Sequence, residues 1–167
     1  MFVPDLRIQS VLELTPQVLK QQGLSALLVD LDDTLVASHS QSMSDEFRTW
    51  LESLKAADIA LLLLSNGHPK RVSYWSKELG IEGLSLVGKP FGFAYRRGLK
   101  RLGKSAGQTA MVGDQLFTDI LGAKRLGIKS ILVSPLSPGG LPHTRLARKL
   151  ESMILKGGND GCFIHRG

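Results

Sequence analysis

Short, almost uninterrupted apolar runs recur along the chain, each bounded by Gly, Ser, Asn or Pro. They lie at residues 24–31, 59–64, 84–87, 109–112 and 130–133. Runs of this length between turn-forming residues are typical of β-strands. Because polar residues do not alternate with the apolar ones, we expect strands that are covered on both faces, which is the environment of a parallel sheet.

Helical patterns separate these runs. In residues 44–57 apolar side chains recur at spacings of three and four, and Ser44 is a suitable N-cap. A second pattern, residues 69–79, starts with proline and is followed by glycine. Further helical segments are predicted over residues 91–102 and 118–126. The alternation predicts a doubly wound α/β domain, a three-layer Rossmann-like fold around a parallel sheet of about five strands.

We predict one domain over residues 1–155 and a flexible tail over residues 156–167. A chain of 167 residues, 43% of them hydrophobic, is sufficient for one core. No run reaches the roughly 18 apolar residues of a membrane span, and the single cysteine, Cys162, excludes an internal disulfide. We therefore expect a cytoplasmic protein without a transmembrane span.

The chain is basic, with a formal net charge of +6. This charge favours anionic partners such as phosphates, nucleic acid or acidic lipid, and an ordinary basic surface explains it equally well.

Carboxylates follow two of the predicted strands. Asp30 and Asp32 end the first run, where a period of two places both side chains on one side of the backbone. Two buried carboxylates cannot both stay charged without a cation, a shared proton or strong donors. Asp114 and Asp119 bring two more acidic groups to the edge of the sheet where α/β domains bind ligands. Mg²⁺, which prefers oxygen ligands, would meet the demand for a cation.

Polar residues follow the other strands. Ser65 and Asn66 come after the second run and offer a hydroxyl, an amide and backbone N–H groups to a phosphate. Lys89, directly before Pro90, is placed to balance negative charge on a phosphoryl group. Taken singly these signals are weak, because a serine at a strand end is more often a turn former and a Lys-Pro pair is more often a solvated loop.

Together these residues resemble the haloacid dehalogenase superfamily of phosphohydrolases, in the order and spacing of its four motifs. The matching residues are Asp30-x-Asp32-x-Thr34, Ser65, Lys89 and Gly113-Asp114-x-x-x-x-Asp119. The chain is most similar to the capless IIIA branch, the YqeG family, which is related to the mitochondrial phosphatidylglycerophosphate phosphatase. The resemblance runs from about Pro4 to Leu150. One departure is Asp33, where members of the family often carry Asn.

This resemblance implies a phosphatase. It assigns Asp30 as the nucleophile that forms an aspartyl phosphate, and Asp32 as the acid that protonates the leaving alcohol and then the base that activates water. Thr34 would order the loop and support Asp32. Ser65, Asn66 and Lys89 would hold the phosphoryl group.

The resemblance also implies a Mg²⁺ site. Its ligands would be a carboxylate oxygen of Asp30, the backbone carbonyl of Asp32, and Asp114. Asp119 is either a further acidic group of this site or a carboxylate favoured at a helix start by the dipole. Asp33 has no assigned role.

The spacing of the motifs leaves no room for a cap domain, so we expect an open site that suits a phosphate on a large carrier. The resemblance makes phosphatidylglycerophosphate the leading substrate, reached by a protein peripheral to the membrane. The alternative substrates are a nucleic acid 3′-phosphate, a phosphoprotein and a small phosphomonoester. A further alternative is a binding protein of this fold without turnover. A basic amphipathic segment, residues 144–156, can lie on an anionic membrane, although such a segment is more often a surface helix packed on the sheet.

Overall fold

The computed structural model describes residues 3–137. Its centre is a six-stranded sheet in the order β1-β6-β5-β2-β3-β4, in which every neighbouring pair is parallel. The strands are β1 (Leu6–Ile8), β2 (Ala26–Val29), β3 (Ala60–Leu64), β4 (Glu82–Leu84), β5 (Thr109–Gly113) and β6 (Lys129–Val133). The predicted parallel α/β architecture is confirmed, with six strands in place of about five.

Helices connect the strands. They are α1 (Pro16–Gln21), α2 (Asp45–Ala56), α3 (Pro69–Leu79), α4 (Gly92–Leu102) and α5 (Gly122–Lys124), with 3₁₀ turns at Val11–Glu13 and Ala106–Gln108 and a π-helix at Leu116–Leu121. Side chains cap several of the starts: the Ser44 hydroxyl accepts a hydrogen bond from the Phe47 amide at 3.3 Å, and the Thr15 hydroxyl accepts one from Val18.

The helices cover both faces of the sheet, which gives the predicted three layers. On one face, Leu27 and Val29 of β2 pack with α1, α2 and α3, and this core includes the fully buried Trp75. On the other face, Leu28 packs with α4 and its Tyr95. Because every residue of β2 is buried, the strand reads as a continuous apolar run, as expected for a central parallel strand.

The structure differs from the sequence prediction at one strand that was not predicted and at two element bounds. β1 was missed because it has three residues with Arg7 at its centre, too short and too polar to register as an apolar run. β4 ends at Leu84, where a strand had been predicted over residues 84–87, because Leu86 has a φ of 46° that extended backbone does not allow. The predicted helix at residues 118–126 begins earlier, as the π-helix, and changes to α geometry at Gly122.

The carboxyl edge of the sheet is uncovered in the part of the chain that the structure describes. Residues 35–44 form a loop and residues 65–81 contain α3 alone, so neither segment holds an inserted domain. Within residues 3–137 no helix has the length and apolar character that crossing a bilayer requires. The predicted basic segment at residues 144–156 and the predicted tail at residues 156–167 lie outside the described residues.

Candidate active site

A small cavity of about 100 Å³ opens at the carboxyl edge of the sheet. It is lined by Asp30, Asp32, Ser65, Asn66, Gly67, Lys89, Gln115 and Thr118. Asp30 is positioned by β2 and β5. Its amide donates to the Val112 carbonyl at 2.9 Å, which continues the hydrogen bonds between the two strands one residue beyond the end of β2. The structure therefore brings five of the predicted site residues to one cavity.

Lys89 forms the centre of the site. Its ammonium donates to Asp30 Oδ1 at 2.8 Å and to Asp119 Oδ1 at 2.7 Å, and all three side chains are buried. Burial alone would lower the pKa of Lys89, but Asp119 and Asp30 outweigh it and raise that pKa well above its ordinary value. The lysine is therefore charged at neutral pH and holds both carboxylates by charge-assisted hydrogen bonds.

Asp30, Asp114 and Asp119 form an acidic cluster beside this lysine. Each offers a carboxylate oxygen, and these oxygens lie within 4.8 Å of one another. Burial raises the pKa of Asp119 to about 6, against the lowering effect of Lys89. Three buried carboxylates beside one ammonium leave an excess of negative charge. A divalent cation with oxygen ligands fits both that charge and the donor set.

Gly113 allows Asp119 to approach the end of β5. A Cβ built on Gly113 would lie 2.1 Å from Asp119 Oδ2, so the carboxylate occupies the space of the missing side chain. Asp119 is held there by the Gln115 amide, which donates to the same oxygen at 3.1 Å across the start of the π-helix. The glycine and the π-helix together bring a fully buried carboxylate within 2.7 Å of the Lys89 ammonium.

Replacing Gly113 by Ala is expected to displace Asp119 and weaken both the acidic cluster and the Lys89 contact. The added methyl would overlap a buried charged group that the Gln115 amide also holds in place, so we expect a cost of about 1–3 kcal/mol in the free energy of unfolding and a loss of divalent cation binding. Thermal unfolding with and without added Mg²⁺ would measure both effects. Gly107→Ala is the control, because nothing lies within 4 Å of its built Cβ. Equal unfolding temperatures for the two variants would contradict the packing argument.

Asp32 lines the same cavity but is bound differently. The Arg71 guanidinium donates from Nε to Asp32 Oδ1 at 2.7 Å and from a terminal nitrogen to the Ser40 carbonyl at 2.8 Å. Burial raises the pKa of the Asp32 carboxyl above its ordinary value, more than the Arg71 ion pair lowers it. The Asp32 side chain is not part of the acidic cluster, so its backbone carbonyl as a metal ligand stays a prediction.

Arg71 was missed by sequence reasoning. It lies in the first turn of α3, where a cation opposes the helix dipole and where acidic residues are more favourable. Arg71 follows Pro69-Lys70, and this turn contains no acidic residue that could pair with it. A basic residue at so unfavourable a position is a signal of a functional contact that the sequence does contain. The structure explains this residue, because Arg71 forms an ion pair with Asp32.

Asp33 and Thr34, in the loop after β2, form hydrogen bonds to other parts of the protein. Asp33, to which no role had been assigned, adopts a φ of 60° and accepts hydrogen bonds from the Ser38 amide and hydroxyl at 3.1 and 2.8 Å. Thr34 had been expected to support Asp32. Its hydroxyl instead lies 3.5 Å from Asp114 Oδ1, a long contact that places it beside the acidic cluster.

Ser65 and Asn66 also lie where predicted, with one difference. The buried Ser65 hydroxyl accepts from the Gly67 amide at 2.9 Å and retains its own proton for another acceptor. Asn66 uses both ends of its amide on the Lys89 backbone, accepting from the amide at 2.8 Å and donating to the carbonyl at 3.0 Å. Its side chain thus fixes the loop that carries Lys89, which the sequence had not indicated.

Comparison with known proteins agrees with this geometry. A model of the family described as haloacid dehalogenase-like hydrolase matches residues 6–127. The protein named "Probable phosphatase YqeG" of Bacillus subtilis is 32% identical over 154 residues, covering 92% of this chain and 90% of that protein. The chloroplastic and mitochondrial phosphatidylglycerophosphate phosphatase 1 of Arabidopsis thaliana is 32% identical over 165 residues, covering 92% of this chain and 47% of that protein.

Solved structures share the fold. The cobalt-bound deoxy-D-mannose-octulosonate 8-phosphate phosphatase of Haemophilus influenzae has a TM-score of 0.57 at 18% identity, covering 82% of this chain and 90% of that chain. The Moraxella catarrhalis 3-deoxy-D-manno-octulosonate 8-phosphate phosphatase has a TM-score of 0.51 at 20% identity, covering 84% of this chain and 90% of that chain. From the family match and the relative matched along nearly its whole length, the chain belongs to the haloacid dehalogenase-like hydrolase family.

Proposed function

We propose that the chain is a Mg²⁺-dependent phosphatase that hydrolyses a phosphomonoester through an aspartyl phosphate on Asp30, and that its substrate is phosphatidylglycerophosphate. Phosphatase activity follows from the family and from relatives with phosphatase names. The observation that carries the mechanism is the position of Asp30: a buried carboxylate, bound by Lys89, on the wall of a cavity that also holds Asp32.

The first step forms a bond between a carboxylate oxygen of Asp30 and phosphorus and breaks the bond from phosphorus to the alcohol oxygen. The Lys89 ammonium donates a charge-assisted hydrogen bond to Asp30 Oδ1 at 2.8 Å, which fixes the position of the nucleophilic carboxylate. The same ammonium favours the negative charge of the phosphoryl group as it transfers.

Asp32 is the residue placed to move protons. It lines the cavity and keeps contact with solvent, and its raised pKa suits a group that must hold a proton before the alcohol leaves. After protonating the leaving alcohol, the Asp32 carboxylate accepts a proton from the water that hydrolyses the aspartyl phosphate. Arg71 fixes the orientation of the carboxylate in both steps.

Asp30, Asp114 and Asp119 would hold the Mg²⁺ ion, together with the Asp32 backbone carbonyl. When bound, the ion screens the charge between an anionic nucleophile and an anionic phosphate. The Ser65 hydroxyl, the Asn66 backbone and the Lys89 ammonium would receive the phosphoryl oxygens, since all three line the cavity.

The proposed substrate rests on two supports. The Arabidopsis relative carries the name of a phosphatidylglycerophosphate phosphatase, although this chain spans about half the length of that protein. The uncovered sheet edge adds a physical reason, because a phosphate at the end of a lipid headgroup can enter a shallow cavity of about 100 Å³ while its acyl chains remain outside.

The test is phosphate release with three substrates: phosphatidylglycerophosphate in detergent micelles, a 3′-phosphorylated oligonucleotide and p-nitrophenyl phosphate. We expect Mg²⁺-dependent release that is fastest, as kcat/KM, on the lipid. The Asp114→Asn variant should need much more Mg²⁺ for half-maximal release, because it removes one charged oxygen ligand.

The outcomes separate the parts of the proposal. Preference for the oligonucleotide would replace the lipid by a nucleic acid end, and equal kcat/KM on all three substrates would leave a general phosphatase. Undiminished release after chelation of divalent cations would overturn the metal requirement.

Replacing Arg71 by Ala is expected to lower kcat by roughly tenfold to a hundredfold on any substrate, since Asp32 loses the ion pair that orients it. Arg71→Lys should recover part of this rate, because a lysine keeps the charge but cannot contact Asp32 and the Ser40 carbonyl together. Steady-state kcat and KM of the two variants would measure the effect. A change confined to KM would instead place Arg71 in substrate binding.

A further inference from the structure

Three large apolar side chains lie exposed beside the cavity. Leu86 is 65% exposed, Phe91 63% and Phe93 57%, and the rings of Phe91 and Phe93 stack nearly parallel with centroids 6.0 Å apart. We call these three residues the rim patch. Leu86, Phe91 and Phe93 thus expose apolar area on both sides of Lys89 within one short segment of the chain, and clustered apolar exposure marks sites of contact with an apolar partner.

Two members of the rim patch occupy positions where the backbone prefers other residues. Leu86 has a φ of 46°, a left-handed conformation in which Gly or Asn is more stable than a branched apolar residue. Phe91 is the N-cap of α4 and makes no side-chain hydrogen bond there, whereas Ser, Thr, Asp or Asn would cap the helix. Neither local stability nor burial explains these two residues. Contact with a binding partner is the remaining physical reason for them.

The rim patch is part of the loop that carries Lys89. A Cβ built on Gly88 would lie 2.8 Å from Phe93 Cζ, so this ring rests on the residue before Lys89. The Leu86 amide donates to the Gly67 carbonyl at 3.3 Å, and Gly67 lines the cavity. A surface that contacts the rim patch therefore meets the mouth of the cavity.

Positive charge surrounds this apolar surface. Residues 83–113 contain no Asp or Glu. A Cβ built on Gly92 would lie 3.2 Å from a terminal nitrogen of Arg96, which places that guanidinium against the start of α4, at the residue that separates Phe91 from Phe93 in the chain. Arg96 and the exposed Arg97 form no ion pair with any residue in the range 3–137. Aromatic side chains flanked by arginines that have no ion-pair partner among the described residues match the interface of an anionic bilayer.

We propose that the rim patch, with Arg96 and Arg97, docks this protein on an anionic lipid bilayer and so brings the cavity to phosphates that project from the membrane surface. The proposal rests on the lipid phosphatase activity proposed above. A second copy of the chain is a poorer occupant, because a symmetric contact through this surface would bring the arginines of two copies together.

Vesicle sedimentation with the full chain tests the docking surface. The vesicles contain phosphatidylcholine mixed with phosphatidylglycerol, which offers anionic charge but no phosphomonoester, so binding is measured independently of turnover. We expect the Leu86→Asn/Phe91→Ser double variant to bind these vesicles roughly tenfold to a hundredfold more weakly than the unmodified protein. We expect Arg96→Ser/Arg97→Ser to bind at least about tenfold more weakly, and the unmodified protein to bind vesicles of phosphatidylcholine alone weakly.

The chain provides matched controls on the opposite face of the sheet. Tyr74 of α3 is 47% exposed, and Tyr74→Ser removes an exposed aromatic residue away from the rim patch. Lys20→Ser/Lys77→Ser removes two exposed charges from α1 and α3. Both should bind vesicles as the unmodified protein does. The Asn and Ser replacements suit a left-handed backbone and an N-cap, and thermal unfolding will confirm that the apolar double variant is folded.

Equal binding by the rim patch variants and the controls would overturn the docking proposal. A dimer that dissociates in the Leu86→Asn/Phe91→Ser variant, with vesicle binding unchanged, would also overturn it in favour of a second copy. These results would leave the proposed function intact if the unmodified protein still releases phosphate from micellar phosphatidylglycerophosphate. Failure of that release with vesicle binding preserved would instead reject the lipid substrate.

Discussion

The Asp30→Asn variant is expected to lose phosphate release by at least about a thousandfold while remaining folded. An amide cannot attack phosphorus as a carboxylate does, and the near-identical shape of Asn keeps the packing at the end of β2. Lys89 loses one charged partner, but the Asn Oδ1 can still accept its hydrogen bond and Asp119 still pairs with the ammonium at 2.7 Å. Phosphate release and trapping of the phosphoenzyme by rapid acid quench would measure the effect.

Asp33→Asn is the matched control for this experiment. It removes a buried carboxylate three residues along the same chain segment. An Asn at this position can still accept from the Ser38 amide through Oδ1 and can donate from Nδ2 to the Ser38 hydroxyl oxygen. We expect release within about tenfold of the unmodified rate, since Asp33 does not line the cavity. Equal losses in the two variants would show that charge in the loop, and not a nucleophile at Asp30, supports activity.

Lys89→Met is expected to destabilise the fold and to abolish turnover. Removing the ammonium leaves Asp30 and Asp119 buried without their partner, a change that typically costs about 3–5 kcal/mol. Turnover should fall at least about a thousandfold, because both the Asp30 nucleophile and the phosphoryl group lose their positive partner. Denaturant unfolding and phosphate release would measure the two losses separately.

A double variant separates these two consequences. Lys89→Met/Asp119→Asn removes one of the two unpaired charges, so we expect part of the stability to return without any return of turnover. The exposed Lys77→Met is the control and should change stability by less than about 0.5 kcal/mol. A double variant as unstable as the single one would contradict the view that uncompensated charge is the cause.

The position of the site could be predicted because parallel strands end at one edge. Apolar runs located β2, β3 and β5, and the polar residues that follow them, Asp30, Ser65 and Asp114, meet there in the structure. The register between β2 and β5 pairs Val29 with Val112, so Asp30 follows beside Gly113 and Asp114 comes one residue later, with its carboxylate within 4.8 Å of that of Asp30. Periodicity and strand order suffice for this result.

Side-chain partners could not be predicted in the same way. Arg71 reaches Asp32 across 39 positions of sequence, and Asn66 bonds the Lys89 backbone across 23. Such pairs depend on how a helix or loop is oriented on the sheet, which apolar spacing does not encode. The rim patch was missed for a related reason: an apolar pair at residues 86–87 reads as strand, and only the backbone shows that Leu86 turns outward while Val87 is buried.

The strand order determines which part of the site loses its structure first when the fold loosens. β2 lies at the interior of the sheet, between β3 and β5, whereas β4 is an edge strand bonded to β3 alone. Edge elements open with a lower free energy than central ones. The Asp30 amide, bonded to Val112, should therefore exchange its hydrogen among the slowest in the molecule, while the segment after β4 exchanges sooner. Mild denaturant would thus inactivate the enzyme by releasing Lys89 from a nucleophile that is still in place.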